Sequence, residues 1–269
     1  MEKVTKSRQE FFKEYLHYTS VAHSLWRCYE CERFAKEELA GPVLDLGCGD
    51  GYFAKSVFGH LQAGVDLNSE EVANAQERGI YDQALVASAT ELPFKDRTFN
   101  TVISNCVMEH IPDIDSVLSE VYRVLKPGGR LLTTVPSEYW DGDSFYQRVF
   151  NGVGFNQAAQ WYNRTLNKVS KHYHVDDSKV WKKRIEKAGL KLQKSEYMIP
   201  IRTFHSFERW FIPAIPSKIF KALFKRWLLW PRIWEPSFFS WWFKDLLKAE
   251  DKIGACYFLV AIKPKGKKG

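Results

Sequence analysis

Between Val43 and Asp66 the chain runs VLDLGCGDG, then an apolar helical pattern from Tyr52 to Phe58, then a second apolar run ending AGVDLN. Few folds accommodate this order. The short apolar run entering the loop reads as a buried strand. Gly47, Gly49 and Gly51 at alternate positions let the backbone turn sharply and come close to a ligand. The helix behind them offers free N–H groups at its N-terminus. Asp66 ends the second run, where a carboxylate can accept bonds from ribose hydroxyls. A glycine triplet alone is weak, because a tight turn explains it too. The order strand, glycine loop, helix, strand, acid is much stronger and points to a cofactor-binding α/β unit.

The glycine spacing is not that of the dinucleotide fingerprint. The run D-L-G-C-G-D-G resembles motif I of the class I methyltransferases that use S-adenosylmethionine. SATELPF (Ser88 to Phe94) is similar to that family's third, acidic-loop motif. TFNTVISNCVMEHIPD (Thr98 to Asp113) resembles its fourth strand and post-strand loop. VLSEVYRVLKPGGRLLTTVPS (Val117 to Ser137) resembles its fifth-strand unit, with Pro127-Gly128-Gly129 turning helix into strand. These ordered motifs cover Val43 to about Ser137 without a gap.

The resemblance implies an α/β fold, a doubly wound Rossmann-like sheet of seven strands in the order 3-2-1-4-5-7-6 with strand 7 antiparallel. It implies S-adenosyl-L-methionine as cofactor. By the same resemblance Asp45 and the backbone around Gly47, Cys48 and Gly49 hold the cofactor's amino-acid end. Asp66 holds the ribose, Leu67 packs on the adenine, and Ser88, Ala89 and Thr90 lie along the adenine edge. Asn105 faces the methionine part. Two positions depart from the family, which often has Asp where this chain has Ser88 and Asn100. Ser88 still offers a hydroxyl to adenine, more weakly. Asn100, at a strand start, reads as structural.

Residues 40–136 thus form the cofactor-binding half of a single domain over 1–269, preceded by N-terminal helices over 7–39. After the fifth strand, DDSKVWKKRIEKAGL places Val180, Trp181, Ile185 and Ala188 on one helix face, with Gly189 as its C′ residue. Leu190 to Ile199 reads as strand 6 and ACYFLVAIKPK as strand 7. Two pieces remain, 137–174 and 200–253. Strands 5 and 6 end at the carboxyl edge of the sheet and strand 7 starts there. Both insertions therefore leave on the cofactor side and, with the N-terminal helices, are placed to form a lid over the acceptor.

The second insertion holds RWLLWPRIWEPSFFSWWF (Arg226 to Phe243), with five tryptophans and three phenylalanines in eighteen positions. Upstream, PSKIFKALFKRWLLW sets Ile219, Phe220, Leu223, Phe224, Trp227 and Leu228 on one helix face and Lys218, Lys221 and Lys225 on another. From Ile201 to Lys248 nine Lys and Arg stand against three acids. Basic residues with Trp and Phe, too interrupted to span, are the composition of a helix lying in a membrane interface. Aromatic stripes at helical spacing are also the composition of a core or of a dry acceptor channel, and the three readings stay open. The net charge of +7 suggests anionic company of some kind. No window reaches eighteen consecutive apolar residues, so no transmembrane helix is expected. Cys28 and Cys31 form a lone CxxC without a second pair or a His at zinc spacing, so we expect reduced cysteines, no metal and a reducing, cytoplasmic compartment, with contact to the inner membrane face through 201–248.

Methyl transfer from a sulfonium is an in-line displacement, in which a protein mainly aligns the partners and excludes water. A hydroxyl acceptor also needs a base. His110 in MEHIPD is the first candidate, Glu109 beside it the second, and His172 and His174 in KHYHVDD the third. Bracing the loop is the competing role for His110. The favoured reading is methylation, at oxygen, of a small or lipid-like acceptor at a membrane surface. The alternatives are a sugar or other soluble metabolite, and a non-catalytic cofactor-binding scaffold. NCVMEH follows strand 4 in place of the proline-tyrosine type motif of amino-group transfer to bases, which argues against nucleic acid.

Overall fold

The computed structural model describes residues 6–211 and 236–265. Seven strands, β1 (Val43–Leu46), β2 (Leu61–Asp66), β3 (Tyr81–Val86), β4 (Phe99–Asn105), β5 (Leu125–Pro136), β6 (Lys191–Pro200) and β7 (Gly254–Ile262), form one sheet. Their order is β3-β2-β1-β4-β5-β7-β6. β7 runs antiparallel to β5 and β6, and the other pairings are parallel. This is the doubly wound arrangement expected from the sequence. β1 and β4 are neighbours although β2 follows β1 in the chain, so the winding direction reverses between them. A crevice opens at such a point beyond the strands' carboxyl ends.

Alternation along the strands divides the core in two, because successive side chains point to opposite faces. Val43, Ile103, Leu132 and Phe258 face one layer. Leu44, Val102, Leu131 and Leu259 face the other. The first layer is covered by α1 (Arg8–Leu16), α2 (Val21–Ala35) and α3 (Tyr52–Phe58). Ser7 begins α1 with a full capping box to Glu10. The second layer is covered by α5 (Ile114–Val124) and α9 (Ser178–Lys187). α4 (Ser69–Glu77) packs along β3.

On α9, Trp181 and Ile185 are fully buried and Gly189 takes the left-handed conformation just past the end, as the pattern requires. Val180 does not follow the expected face. It is 37 % exposed, because the buried stripe of this short helix is only wide enough for Trp181, Ile185 and part of Ala188.

The first insertion consists of α6 (Tyr139–Gly142), α7 (Phe145–Gly152) and α8 (Asn156–Ser170). The second begins directly at the end of β6 with α10 (Ile201–Phe211) and resumes with α11 (Pro236–Trp242). The amphipathic helix expected at 216–230 lies outside the described residues. Glu208 on α10 joins the two insertions: it accepts from the Phe145 amide at 2.6 Å and from the Tyr162 hydroxyl at 2.8 Å. His205 adds a bond to the Asp143 carbonyl at 2.7 Å. The aromatic stretch splits where it is described. Phe243 is buried against Phe12 and Trp210, and Ser240 is held by Gln9. Trp241 and Trp242 are 61 % and 59 % exposed.

Trp181 has no solvent exposure and fills the layer between α9 and the sheet. Trp181→Ala is expected to lower unfolding stability by about 3–5 kcal/mol in chemical denaturation. A loss under about 1 kcal/mol would show that α9 is not part of the cooperative core.

Candidate active site

The glycine loop closes on β2. The amides of Gly47 and Cys48 both donate to the Val65 carbonyl, at 2.8 and 2.9 Å. The Gly49 amide donates to one Asp66 carboxylate oxygen at 2.9 Å, and the Asn68 amide donates to the other at 2.9 Å. Gly47 has φ +79°, and a Cβ there would meet the Val107 side chain at 2.3 Å, so only glycine lets the loop after β4 pack this close. A Cβ on Gly49 would meet nothing within 4 Å, so the loop faces open space there.

These residues fit S-adenosylmethionine. A carboxylate has about four acceptor positions, and backbone amides take one on each Asp66 oxygen, which leaves capacity for ribose hydroxyls. Leu67, next in sequence, is 75 % exposed and offers an apolar face to a flat base. The Ser88 hydroxyl is paired with that of Thr90 at 2.7 Å in a local turn, and Ala89 lies half-buried between them. Asn100 caps the entry to β1 by donating to the Gly41 carbonyl, a structural role.

Three expected cofactor contacts are turned elsewhere. Asp45 is 2 % exposed and its carboxylate accepts from the Tyr81 hydroxyl at 2.8 Å, beneath the loop instead of in front of it. Burial pushes its pKa up to about 7, opposed by the Tyr81 bond and assisted by the nearby Asp66. The Cys48 side chain lies in the core, and burial raises its thiol pKa, so only its backbone reaches the loop surface. Asn105 is 8 % exposed, accepts from Thr134 Oγ1 at 2.6 Å and donates to Glu30 at 3.1 Å. Its amide braces the strand end and does not face an open crevice.

Glu30 was not foreseen. It sits on α2 and is fully buried among four donors: Trp26 Nε1 (2.7 Å), Cys106 Sγ (2.8 Å), Arg27 (2.7 Å) and Asn105 (3.1 Å). The available signal was its place at i+4 and i+8 from Trp26 and Ala22, on an otherwise apolar stripe. A carboxylate there must find buried partners. The α1–α2 turn also grips the loop. Tyr18 stacks flat on Tyr52 at 3.7 Å and donates to Asp50, which also receives Arg78 at 2.7 Å.

Beyond β4, a short 3-10 turn (Met108–His110) carries Glu109 and His110. The end of the first insertion is stitched to it. The Tyr173 amide donates to the Glu109 carbonyl at 2.8 Å, His110 Nδ1 to the Lys171 carbonyl at 3.2 Å, and His174 Nε2 to the Ile111 carbonyl at 3.0 Å. This brings His172 against His110, with ring centroids 5.0 Å apart, and packs it on Trp140 at 4.7 Å. Burial lowers the pKa of both, that of His172 to about 4, so both are held neutral. Glu109 is 1 % exposed and pushed up to about 8, by burial first and then by Glu30 nearby. Three of the four candidate catalytic side chains therefore meet. His174 stands apart, between Asp176 and Trp181, and braces the loop.

Residues 44–133 match the family described as "Methyltransferase domain". A sterol 4-C-methyltransferase of Caenorhabditis elegans is 35 % identical over 112 residues, 38 % of this chain and 34 % of that protein. A ubiquinone/menaquinone biosynthesis C-methyltransferase of Desulfotalea psychrophila is 38 % identical over 124 residues, 42 % of this chain and 49 % of that protein. The chain thus spans half or less of these relatives' own length. The solved structure of Haemonchus contortus phosphoethanolamine N-methyltransferase 2 with S-adenosyl-L-methionine superposes with a TM-score of 0.50 at 22 % identity, covering 94 % of this chain and 60 % of that one, which shows a shared fold.

The Asp45 shift sets a pH dependence. An unfolded Asp titrates near 4, and Asp45 in the fold near 7, so folding takes up a proton between these values. The stabilisation is full below about pH 4 and is lost as pH rises to 7, by roughly 4 kcal/mol at most for this group. Asp45→Asn keeps an acceptor for Tyr81 and removes the titration. Its melting temperature is expected to fall less than that of the parent chain between pH 5 and pH 8. Equal falls would place the Asp45 carboxylate in a better solvated setting than this.

Proposed function

We propose that the chain, whose residues 44–133 match a methyltransferase domain, is a class I S-adenosylmethionine-dependent methyltransferase that methylates an oxygen of a small or lipid-like acceptor presented at a membrane surface. The observation that carries the reading is the meeting of Glu109, His110 and His172 beyond β4, where the loop after β4 touches the glycine loop through Val107 and Gly47. The cofactor, once bound, supplies the electrophilic methyl group. The residues do the rest. Asp66 holds the ribose, the open backbone at Gly49 takes the amino-acid end, and Leu67 covers the base. Glu30 fixes the end of β4 from above, through Asn105 and Cys106. The neutral imidazoles of His110 and His172 are able to accept the acceptor's proton while α6–α8 and α10 exclude water.

The membrane part rests on exposed apolar side chains. Val149, Val153, Phe155, Trp161 and Val169 of the first insertion are each at least 46 % exposed, and Arg148, Arg164, Lys168 and Lys171 lie on the same segment. α11 adds exposed Trp241 and Trp242. Interfacial tryptophans with basic neighbours suit an anionic lipid surface. No helix among the described residues is long and apolar enough to cross a membrane. The sterol and quinone named for the two relatives are lipid-like, in keeping with this reading.

Two outcomes are expected. His110→Ala should lower methyl turnover at least about a hundredfold while changing cofactor affinity less than about threefold. Undiminished turnover would remove His110 from the chemistry. In flotation with anionic phosphatidylserine vesicles at low salt the protein should rise with the lipid, and Trp161→Ala together with Trp241→Ala should weaken this. Absence of flotation would leave a soluble acceptor as the reading.

A further inference from the structure

The sequence pattern led us to expect no metal site, yet the fold brings three possible metal ligands together from segments 61 residues apart. We propose that Glu109, His110 and His172 bind one divalent transition-metal ion of the zinc class. Each offers one ligand atom, and these atoms lie within 4.8 Å of one another. Two imidazoles and a carboxylate form an established donor set for such ions.

Three further observations point to a ligand. Glu109 Oε2 is buried and has no hydrogen-bond partner, on a side chain only 1 % exposed. His172 Nδ1 is likewise buried and unpartnered. Orphaned buried polar atoms of this kind are costly, and one ion would satisfy both. His110 carries the outer bond that metal-binding histidines show: Nδ1 faces the Lys171 carbonyl at 3.2 Å and must donate to it. That fixes the tautomer and leaves the lone pair on Nε2, the atom 3.9 Å from Glu109 Oε1.

The surroundings permit an ion. Of the two cations that act on His110, Arg27 is paired with Glu30 at 2.7 Å and Lys171 is on the exposed end of the first insertion. Tetrahedral coordination at about 2.0–2.1 Å needs donor atoms roughly 3.3 Å apart, so closure takes side-chain rotations of an ångström or two. The carrying segments are already fixed by the Tyr173–Glu109, His110–Lys171 and His174–Ile111 bonds. Three protein ligands leave one position open. On the oxygen-acceptor reading above, and only on that reading, a loaded ion would replace the imidazole base: the acceptor's oxygen would take this position as an alkoxide with its proton released to solvent, since coordinated imidazoles have no lone pair left to accept it.

The test uses the full chain, stripped with a chelator and titrated with cobalt(II) as a spectroscopic stand-in. One equivalent should give visible ligand-field absorption. Glu109→Gln and His172→Ala should each weaken binding at least about tenfold with unchanged circular dichroism. His60→Ala, at the exposed His60–Asp82 pair, should leave the band as it is. If Glu109→Gln does not fold, His172→Asn decides. No band, or a band indifferent to both the Glu109 and His172 changes, overturns the site. A methyl-transfer assay separates the two ideas. Turnover undiminished in the chelated protein, with cobalt binding intact, removes the acceptor's oxygen from the ion and leaves the site standing.

Discussion

The Gly49 amide donates to the Asp66 carboxylate at 2.9 Å, and the crevice is organised around that bond. It ties the loop after β1 to the end of β2, so the acid and the open glycine backbone move as one piece. The loop can sit there because Gly47, Gly49 and Gly51 all take positive φ. Gly47 also lets Val107 approach closer than any Cβ would allow, which links the post-β4 loop to the same clasp. Asp66, the glycine backbone and the candidate catalytic turn are therefore positioned by a single local arrangement at the carboxyl edge of the sheet.

The elements outside the sheet are held to this edge by buried polar contacts. Glu30 reaches from α2 to Asn105 and Cys106, and Asp50 is gripped by Tyr18 and Arg78. Burying a carboxylate is costly unless its oxygens are paired, and four donors surround Glu30. Such an arrangement specifies where the N-terminal helices dock. Glu208 does the same between the two insertions. Burial pushes its pKa up to about 7, which ties the packing of α7, α8 and α10 to proton uptake at that carboxylate.

The sheet and its order were legible because their signals are local: an apolar run, a glycine loop, an acid at the right distance, and Pro127-Gly128-Gly129 before β5. The glycine loop and the positions of Asp66 and Leu67 beside it were legible for the same reason. The side-chain partners of Asp45 and Asn105 were not legible, because a motif gives a residue's place on a strand but not the partner that claims its side chain, here Tyr81 and the Thr134–Glu30 pair. Glu30 and Asn105 are 75 positions apart, and nothing in the local pattern joins them. The meeting of His172 with His110 depends on backbone bonds between an insertion and a 3-10 turn, which periodicity does not encode. The aromatic stretch divides for a packing reason. Phe239 and Phe243 stack in parallel one helical turn apart and turn inward, while Trp241 and Trp242 are exposed.

The central claim is that S-adenosylmethionine binds at the clasp formed by Gly49 and Asp66. Calorimetric titration with S-adenosylhomocysteine tests it most directly, comparing the parent chain with Asp66→Asn, which keeps an acceptor for the Gly49 amide but loses the charge. One-to-one binding that weakens at least about tenfold in the variant is expected, since hydrogen bonds to a charged acceptor are worth about 1.5–3 kcal/mol. Binding of equal strength in both proteins, or none in either, would contradict it.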